Sequence, residues 1–212
     1  FGMLEPTAGK IRINGEPVKI TSPNKAIRLG IGMVHQHFEL VPTFTVAENV
    51  CMGHEPQGHL ASVDKKEMVR RTRELAEQSG LRIDPEAKIK DLSVGLLQRV
   101  EILKALSRGA EILILDEPTA VLTPLECEEL FAVLRRMSRE DKTIIIITHK
   151  LQEVLSISDR VTILRKGKSI DTVETAGCDA RKLTELMVGR PVSLEIERPK
   201  VEKCETILKV VD

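Results

Sequence analysis

Short β-branched and leucine-rich runs alternate with longer amphipathic segments in the second half of this chain. The strand-sized runs are Ile112–Leu115, Thr143–Thr148 and Arg160–Leu164, and the segments of helical periodicity between them are Pro124–Ser138 and Lys150–Ile157. Such runs are typical of parallel strands, because helices cover both faces of a parallel sheet. The alternation predicts an α/β fold built on a parallel sheet.

The first half of the chain predicts a hairpin and one more strand. Asn14-Gly15 lies between two alternating apolar segments, which is the strongest short signal for a β-hairpin. Ile31–His35 is a short apolar run that leads into a loop containing Gln36. We therefore expect a β-ribbon, followed by a strand that ends just before this glutamine.

Two helices are also predicted in the first half. Asp64–Ser79 is charged and has apolar residues at helical spacing. Asp64 is the expected N-cap, Glu67 is expected to complete a capping box, and Gly80 is expected to end the helix. Gln98–Arg108 carries apolar residues on several faces and stops at Gly109, so we expect a buried helix there.

The last part of the chain predicts one turn, two strands and one helix. Arg165–Lys168 is expected to turn the chain into a returning strand at Ser169–Val173, and a helix is expected at Asp179–Val188. Thr206–Val211 has the composition of a further strand.

Composition excludes several classes of protein. Hydrophobic residues make up 42% and charged residues 30%, which is typical of a globular domain rather than of a disordered segment or a membrane-embedded bundle. Basic and acidic residues both total 32, and Trp and Tyr are missing, so no nucleic-acid partner is expected. The four cysteines form no Cys-x-x-Cys pair, and reduced thiols are favoured over two disulfides.

Two adjacent acids come directly after the most apolar strand. A parallel sheet would place Asp116 and Glu117 at its carboxyl edge, where open α/β proteins bind ligands. There Asp116 would hold Mg²⁺, directly or through water, and Glu117 would polarise the water that attacks a terminal phosphate. The alternative is a solvated strand end whose acid pair caps the next helix.

Three other segments carry weaker signals. The turn Ser93-Val94-Gly95 leads into the second helix and could bind an anion with its backbone N–H groups, although an ordinary serine-capped helix has the same pattern. His149 and Gln36 each come after a predicted strand. A single histidine or glutamine at such a position is most often structural. The order of the segments is more informative than any one of them.

Taken in order, these segments resemble the ATP-binding cassette ATPases. The chain contains five segments in succession: a strand followed by glutamine, a helical insertion, Leu-Ser-x-Gly, a strand ending Asp-Glu-Pro-Thr and an isoleucine-rich strand ending Thr-His. The resemblance covers about residues 1–189. It implies a RecA-like core of the P-loop NTPase type, with a helical subdomain at about residues 43–95 and an antiparallel β-ribbon. It also implies two cassettes that sandwich two ATP molecules head to tail.

The resemblance implies roles for the matching residues. Gln36 is similar to the glutamine that contacts Mg²⁺ and the membrane partner, and Asp116 is similar to the Walker B residue that binds Mg²⁺. Glu117 is similar to the general base, and His149 to the switch histidine at the γ-phosphate. The implied cofactors are ATP and Mg²⁺. Phosphoryl transfer requires the protein to stabilise the charge on the phosphate and to position one water molecule.

The turn at Ser93–Gly95, called here the signature turn, departs from the family pattern Leu-Ser-Gly-Gly-Gln. Ser93 and Gly95 match and are implied to contact the γ-phosphate of the ATP held by the opposite cassette. Val94 and Leu96 stand where the family has a glycine and the glutamine. The loop after the acids also has Val-Leu-Thr where Ala-Leu-Asp is usual. We expect one composite ATP site to be less efficient.

The phosphate cradle Gly-x-x-x-x-Gly-Lys-[Ser/Thr], or Walker A motif, does not occur in the sequence. The segment from Gly2 to Ile11 has the wrong spacing, with isoleucine where a Mg²⁺-binding hydroxyl belongs. In the family the cradle precedes a hairpin such as this one. We therefore expect an N-terminally truncated cassette, with residues 1–190 as a partial ATPase domain and 191–212 as a linker and the start of a second cassette. The chain alone is expected to be inactive.

Two further segments, Pro118–Pro124 and Leu186–Arg190, are similar to the double-cassette ATPases of bacterial sugar and nucleoside importers, the nucleoside branch being nearer. Such a subunit pairs with a second cassette, in one polypeptide or as a homodimer, and binds transmembrane permease subunits at the cytoplasmic face of the cell membrane. A periplasmic or lipoprotein substrate-binding protein takes part indirectly. The alternatives are a soluble cassette ATPase of translation or DNA maintenance and a non-catalytic interaction module.

Overall fold

The predicted hairpin is the first regular structure in the chain. The computed structural model describes residues 1–58 and 62–190, and in it β1 (Ile11–Ile13) pairs antiparallel with β2 (Glu16–Val18). Asn14 and Gly15 have φ angles of 51° and 83°, as a two-residue type I′ turn requires. A short helix that the sequence pattern does not predict, α1 (Pro23–Arg28), comes after the hairpin.

Residues 1–149 form one unit around a three-stranded parallel sheet, as the alternating pattern predicts. Its strands lie in the order β3 (Ile31–Val34), β4 (Ile112–Asp116) and β5 (Thr143–Ile147). Val34 pairs with Leu115, which in turn pairs with Ile146. The carboxyl ends of all three strands therefore meet at one edge of the sheet.

The sheet is covered unevenly, which corrects the expectation that helices cover both faces. Leu113 and Leu115 on the central strand are at most 2% exposed, whereas Ile145 and Ile147 on β5 are 46% and 47% exposed. β5 hydrogen-bonds only to β4 among the described residues. One face of this edge strand is therefore open to solvent.

Three helices pack together between β3 and β4 in the sequence. They are α2 (Val46–Val50), α3 (Lys65–Ser79) and α4 (Val94–Ser107). A 3-10 turn at Ile89–Asp91 precedes α4, which also packs against β3, and α5 (Pro124–Arg139) connects β4 to β5. Helix α4 therefore joins the sheet to the other two helices.

The ends of α3 and α4 differ in detail from the expectation. The side chain of Asp64 caps α3 and Gly80 ends it, but the Glu67 carboxylate binds Arg70 and Arg71 instead of completing a capping box. The two guanidinium groups lower the pKa of Glu67 to about 2. Helix α4 begins at residue 94 rather than 98, because the Ser93 side chain caps it.

The described residues from Lys150 onward belong to a second unit. It contains α6 (Leu151–Ile157), β6 (Arg160–Arg165), β7 (Lys168–Glu174) and α7 (Ala180–Val188). β6 pairs antiparallel with β7 and is not part of the parallel sheet, contrary to the expectation. A two-residue turn with positive φ at Lys166 and Gly167 directs β7 back along β6.

Some expectations fall on residues that the structure does not describe. The predicted strand Thr206–Val211 and the whole 191–212 segment lie outside the described residues. Cys51, Cys127 and Cys178 form no disulfide within the described part of the chain. None of the helices in that part is long and apolar enough to cross a bilayer.

Candidate functional site

The acid pair lies at the carboxyl edge of the sheet, as predicted. Asp116 is the last residue of β4 and pairs with Ile147 on β5. The N–H of Glu117 donates to the Ile147 carbonyl at 2.9 Å, so the ladder continues one residue beyond the strand. Glu117 has a φ of 48°, which is strained for a residue with a long side chain. The chain turns sharply here, and the paired backbone holds the turn.

The two carboxylate oxygens of Glu117 have different surroundings. Oε1 lies 2.8 Å from His149 Nδ1, whereas Oε2 is buried without a hydrogen-bond partner among the described residues. The Glu117 side chain is 19% exposed and that of His149 is 73% exposed. A buried carboxylate oxygen without a partner is costly, so such an atom marks a place that a further polar group can complete. Strain and an orphaned oxygen at one residue are both typical of a functional site.

Gln36 comes from the same edge of the sheet, two residues beyond β3, and its side chain is exposed. The segment after it is held firmly. The Glu39 N–H donates to Glu101 Oε1 at 2.6 Å, and Lys104 Nζ donates to the Glu39 carbonyl at 2.7 Å. Sequence reasoning missed this clamp, although a buried acid in the apolar stretch of α4 is a visible signal.

The signature turn lies elsewhere. Ser93 is the N-cap of α4, and its side chain accepts the Leu96 N–H at 3.4 Å. Within the described residues no hydrogen bond or ion pair joins Ser93, Val94 or Gly95 to Glu117 or His149; the signature turn packs against Glu126 at the start of α5 instead. The structure therefore brings Gln36, Asp116, Glu117 and His149 to one edge and leaves the signature turn outside that group.

The donor atoms at the sheet edge suit a hard cation. Asp116 offers carboxylate oxygens and Gln36 an amide oxygen, which are ligands that Mg²⁺ accepts together with phosphate oxygens and water. Among the described residues, no group of three or more His, Cys, Asp or Glu side chains could hold a metal ion by itself.

Comparison with known proteins decides the family. The model of a family described as ABC transporter matches residues 1–120, more than half of the chain. The chain belongs to the ABC transporter family. The nucleoside import ATP-binding protein NupA of Lactococcus lactis is 49% identical over 211 residues, which are 100% of this chain and 42% of that protein. The guanosine import ATP-binding protein NupO of Bacillus subtilis is 50% identical over 210 residues, 99% of this chain and 41% of that protein.

Solved structures agree with this membership. The dimeric structure of the ATP-binding cassette MJ0796 bound to ADP and Pi superposes with a TM-score of 0.66 at 25% identity, covering 83% of this chain and 77% of that one. The α/β architecture around a parallel sheet is therefore the RecA-like cassette fold of the family. The chain spans less than half the length of the two import proteins that it matches.

Proposed function

We propose that this chain is part of the ATP-hydrolysing subunit of an ABC importer for nucleosides or simple sugars. The observation that carries the proposal is the alignment, which extends over essentially the whole chain at 49% and 50% identity to two import proteins named for nucleosides and guanosine. The residues at the sheet edge support it, since a buried acid beside a histidine suits the activation of water.

The proposed assembly contains a second cassette and transmembrane permease subunits. The relatives are more than twice as long as this chain, which supports a second cassette in the same polypeptide, and a dimeric neighbour supports pairing. Residues 1–190 would form a partial cassette and 191–212 the linker to the next one. Such a subunit would lie peripherally at the cytoplasmic face of the cell membrane, and a periplasmic or lipoprotein substrate-binding protein would act on it only indirectly.

The proposed cofactors are ATP and Mg²⁺, and the metal would neutralise charge on the phosphates when bound. Asp116 and Gln36 would supply oxygen ligands to it. Glu117, whose Oε1 lies beside His149, would accept a proton from the water that attacks the γ-phosphorus. His149 would lie at the γ-phosphate, and ADP and inorganic phosphate would leave.

The signature turn would serve the ATP held by the opposite cassette. Ser93, Val94 and Gly95 lie at the N-terminus of a 14-residue helix, where N–H groups and the helix dipole favour an anion. Val94 adds bulk where the backbone must approach a phosphate, and Leu96 lacks the polar group of the family pattern. We therefore propose that the two ATP sites of the complete protein are unequal.

The test is Glu117→Gln in the complete protein. The substitution keeps the size of the side chain and removes the base, so ATP turnover at this site is expected to fall by about 100-fold to 10,000-fold. Nucleotide affinity, measured by equilibrium titration, is expected to change by less than about twofold, because the glutamine leaves the phosphate contacts in place.

Glu111→Gln is the matched control. Glu111 lies just before β4, at the opposite end from the acid pair, and binds Lys142 at 2.7 Å on the surface. Its substitution is expected to leave turnover unchanged. If Glu117→Gln lowers affinity as much as turnover, Glu117 is a structural residue and the catalytic assignment is wrong. If the complete wild-type protein hydrolyses no ATP, the non-catalytic interaction module replaces the ATPase.

A further inference from the structure

One carboxylate is shared by the first turns of α4 and α5. Glu126 Oε2 accepts the Thr123 N–H at 2.9 Å and the Thr123 hydroxyl at 2.8 Å, which completes a capping box at the start of α5. Gly95, in the first turn of α4, lies directly against the same carboxylate. The Thr123 donors lower the pKa of Glu126, the N–H most strongly, so the group is a carboxylate at neutral pH.

The contact with Glu126 leaves no room for a side chain at residue 95 unless the glutamate moves. A Cβ at this position would lie 2.8 Å from Glu126 Cδ and 3.1 Å from its Cγ, and still closer to Oε1. The φ angle of Gly95 is not positive, so the backbone conformation itself would accept another residue. Any side chain here would displace the carboxylate from its place against Gly95.

The shared carboxylate connects two parts of the proposed machinery. The loop of residues 117–123, called here the acid loop, begins at Glu117 and ends at Thr123, which Glu126 binds through both backbone and hydroxyl. The same group packs against the signature turn at Gly95. Charge-assisted hydrogen bonds hold the carboxylate to Thr123, and the same carboxylate packs closely against Gly95, so a shift of the acid loop is passed to the signature turn.

We propose that Glu126 is a positioning residue that fixes the signature turn relative to the acid loop. The inference rests on the proposed function, in which these two segments of one cassette serve different ATP molecules. Glu126 then couples the two ATP sites inside a single cassette. It acts through Thr123 and Gly95 and does not touch nucleotide itself.

The experiment is a double-mutant cycle in the complete protein. Gly95→Ala is expected to lower kcat by about 10-fold to 100-fold, because it displaces the carboxylate and the turn. Glu126→Ala is expected to lower kcat about 10-fold, with the KM for ATP within about twofold of wild type. The combination Gly95→Ala with Glu126→Ala is expected to be no slower than Glu126→Ala alone, because the clash is gone.

Two controls define the contact. Glu126→Gln keeps the bulk of the side chain, so it is expected not to rescue Gly95→Ala. Glu129 also joins the two helices, through Arg99 one turn further along, whereas the three atoms nearest to a Cβ at Gly95 all belong to Glu126. Glu129→Ala is therefore expected neither to lower kcat nor to rescue Gly95→Ala.

The outcomes separate the two proposals. If the loss in kcat of the double variant equals the product of the two single losses, Gly95 and Glu126 act independently and the shared contact is overturned. A lower unfolding temperature for Glu126→Ala with unchanged kcat, measured where every variant is folded, overturns the positioning role. If the wild-type protein hydrolyses no ATP, the proposed function fails. The contact itself is then tested by unfolding temperature: it predicts that adding Glu126→Ala to Gly95→Ala restores the unfolding temperature that Gly95→Ala lowers.

Discussion

At the scale of the residue, Gly32 sets the distance between β3 and the end of α4. A Cβ at Gly32 would lie 2.8 Å from the Cβ of Ala110 and 2.9 Å from the Cβ of Ala105. These neighbours belong to a packed core and have no flexible ends that could move aside. The strand that leads to Gln36 therefore requires glycine for packing, without any unusual backbone angle.

Gly32→Ala is expected to lower the free energy of unfolding by about 1–3 kcal/mol, the usual cost of overpacking a core. Urea unfolding followed by circular dichroism measures it. Gly177→Ala makes the same change where no atom lies within 4 Å, and is expected to cost less than about 0.5 kcal/mol. Equal losses for both variants would contradict the packing argument.

The positions of the candidate site residues could be predicted from sequence more readily than those of their supports. Asp116, Glu117 and His149 lie at or just beyond the carboxyl ends of strands, and parallel strands bring those ends to one edge of a sheet, so local pattern is sufficient. Glu101 and Glu126 act through partners 62 and 31 positions away in the chain, at Glu39 and Gly95. Such pairings depend on how helices pack, which periodicity within one helix does not specify.

At the scale of the element, α4 is the helix that holds the segment after Gln36. Glu101 and Lys104, whose side chains are 7% and 14% exposed, lie 3.6 Å apart and bind the two backbone groups of Glu39. These contacts provide hydrogen-bond partners for the N–H and the carbonyl of Glu39, and they pair the two poorly exposed charges with each other. Since the signature turn starts the same helix, a shift of α4 moves both segments together.

Lys104→Met is expected to lower the free energy of unfolding by about 3 kcal/mol, because it leaves the Glu101 carboxylate buried without its cation. Amide hydrogen exchange at Glu39 is expected to speed up, because the Glu101 carboxylate that accepts its N–H loses the cation that holds it in place. Lys65→Met is the control: Lys65 lies 3.2 Å from Glu48 but is 78% exposed, so a loss below about 1 kcal/mol is expected. Similar losses for both variants would show that the clamp is not buried in solution.

At the scale of the whole molecule, the sequence pattern predicts the class of fold but not every strand partner. Apolar runs flanked by helices predict a parallel sheet, and β3, β4 and β5 form one. The run that becomes β6 has the same composition, yet it pairs with β7 in a second unit. Composition predicts that a run forms a strand and does not report which strand it pairs with or which of its faces is covered. For the same reason the open face of β5 could not be predicted.

The order of the strands also determines when each one can form. β4 and β5 are joined through α5 alone, whereas β3 meets β4 only after the ends of the 35–111 segment have come together. Closing a longer loop costs more chain entropy before any contact is gained, so β4, α5 and β5 are expected to assemble first. In stopped-flow kinetics, Leu115→Ala in β4 should mainly slow folding, and Val34→Ala in β3 should mainly speed unfolding. A φ-value for Val34 as high as that for Leu115 would contradict this order. If the order holds, a nascent chain builds the strand that carries its acids before it attaches the strand that leads to Gln36.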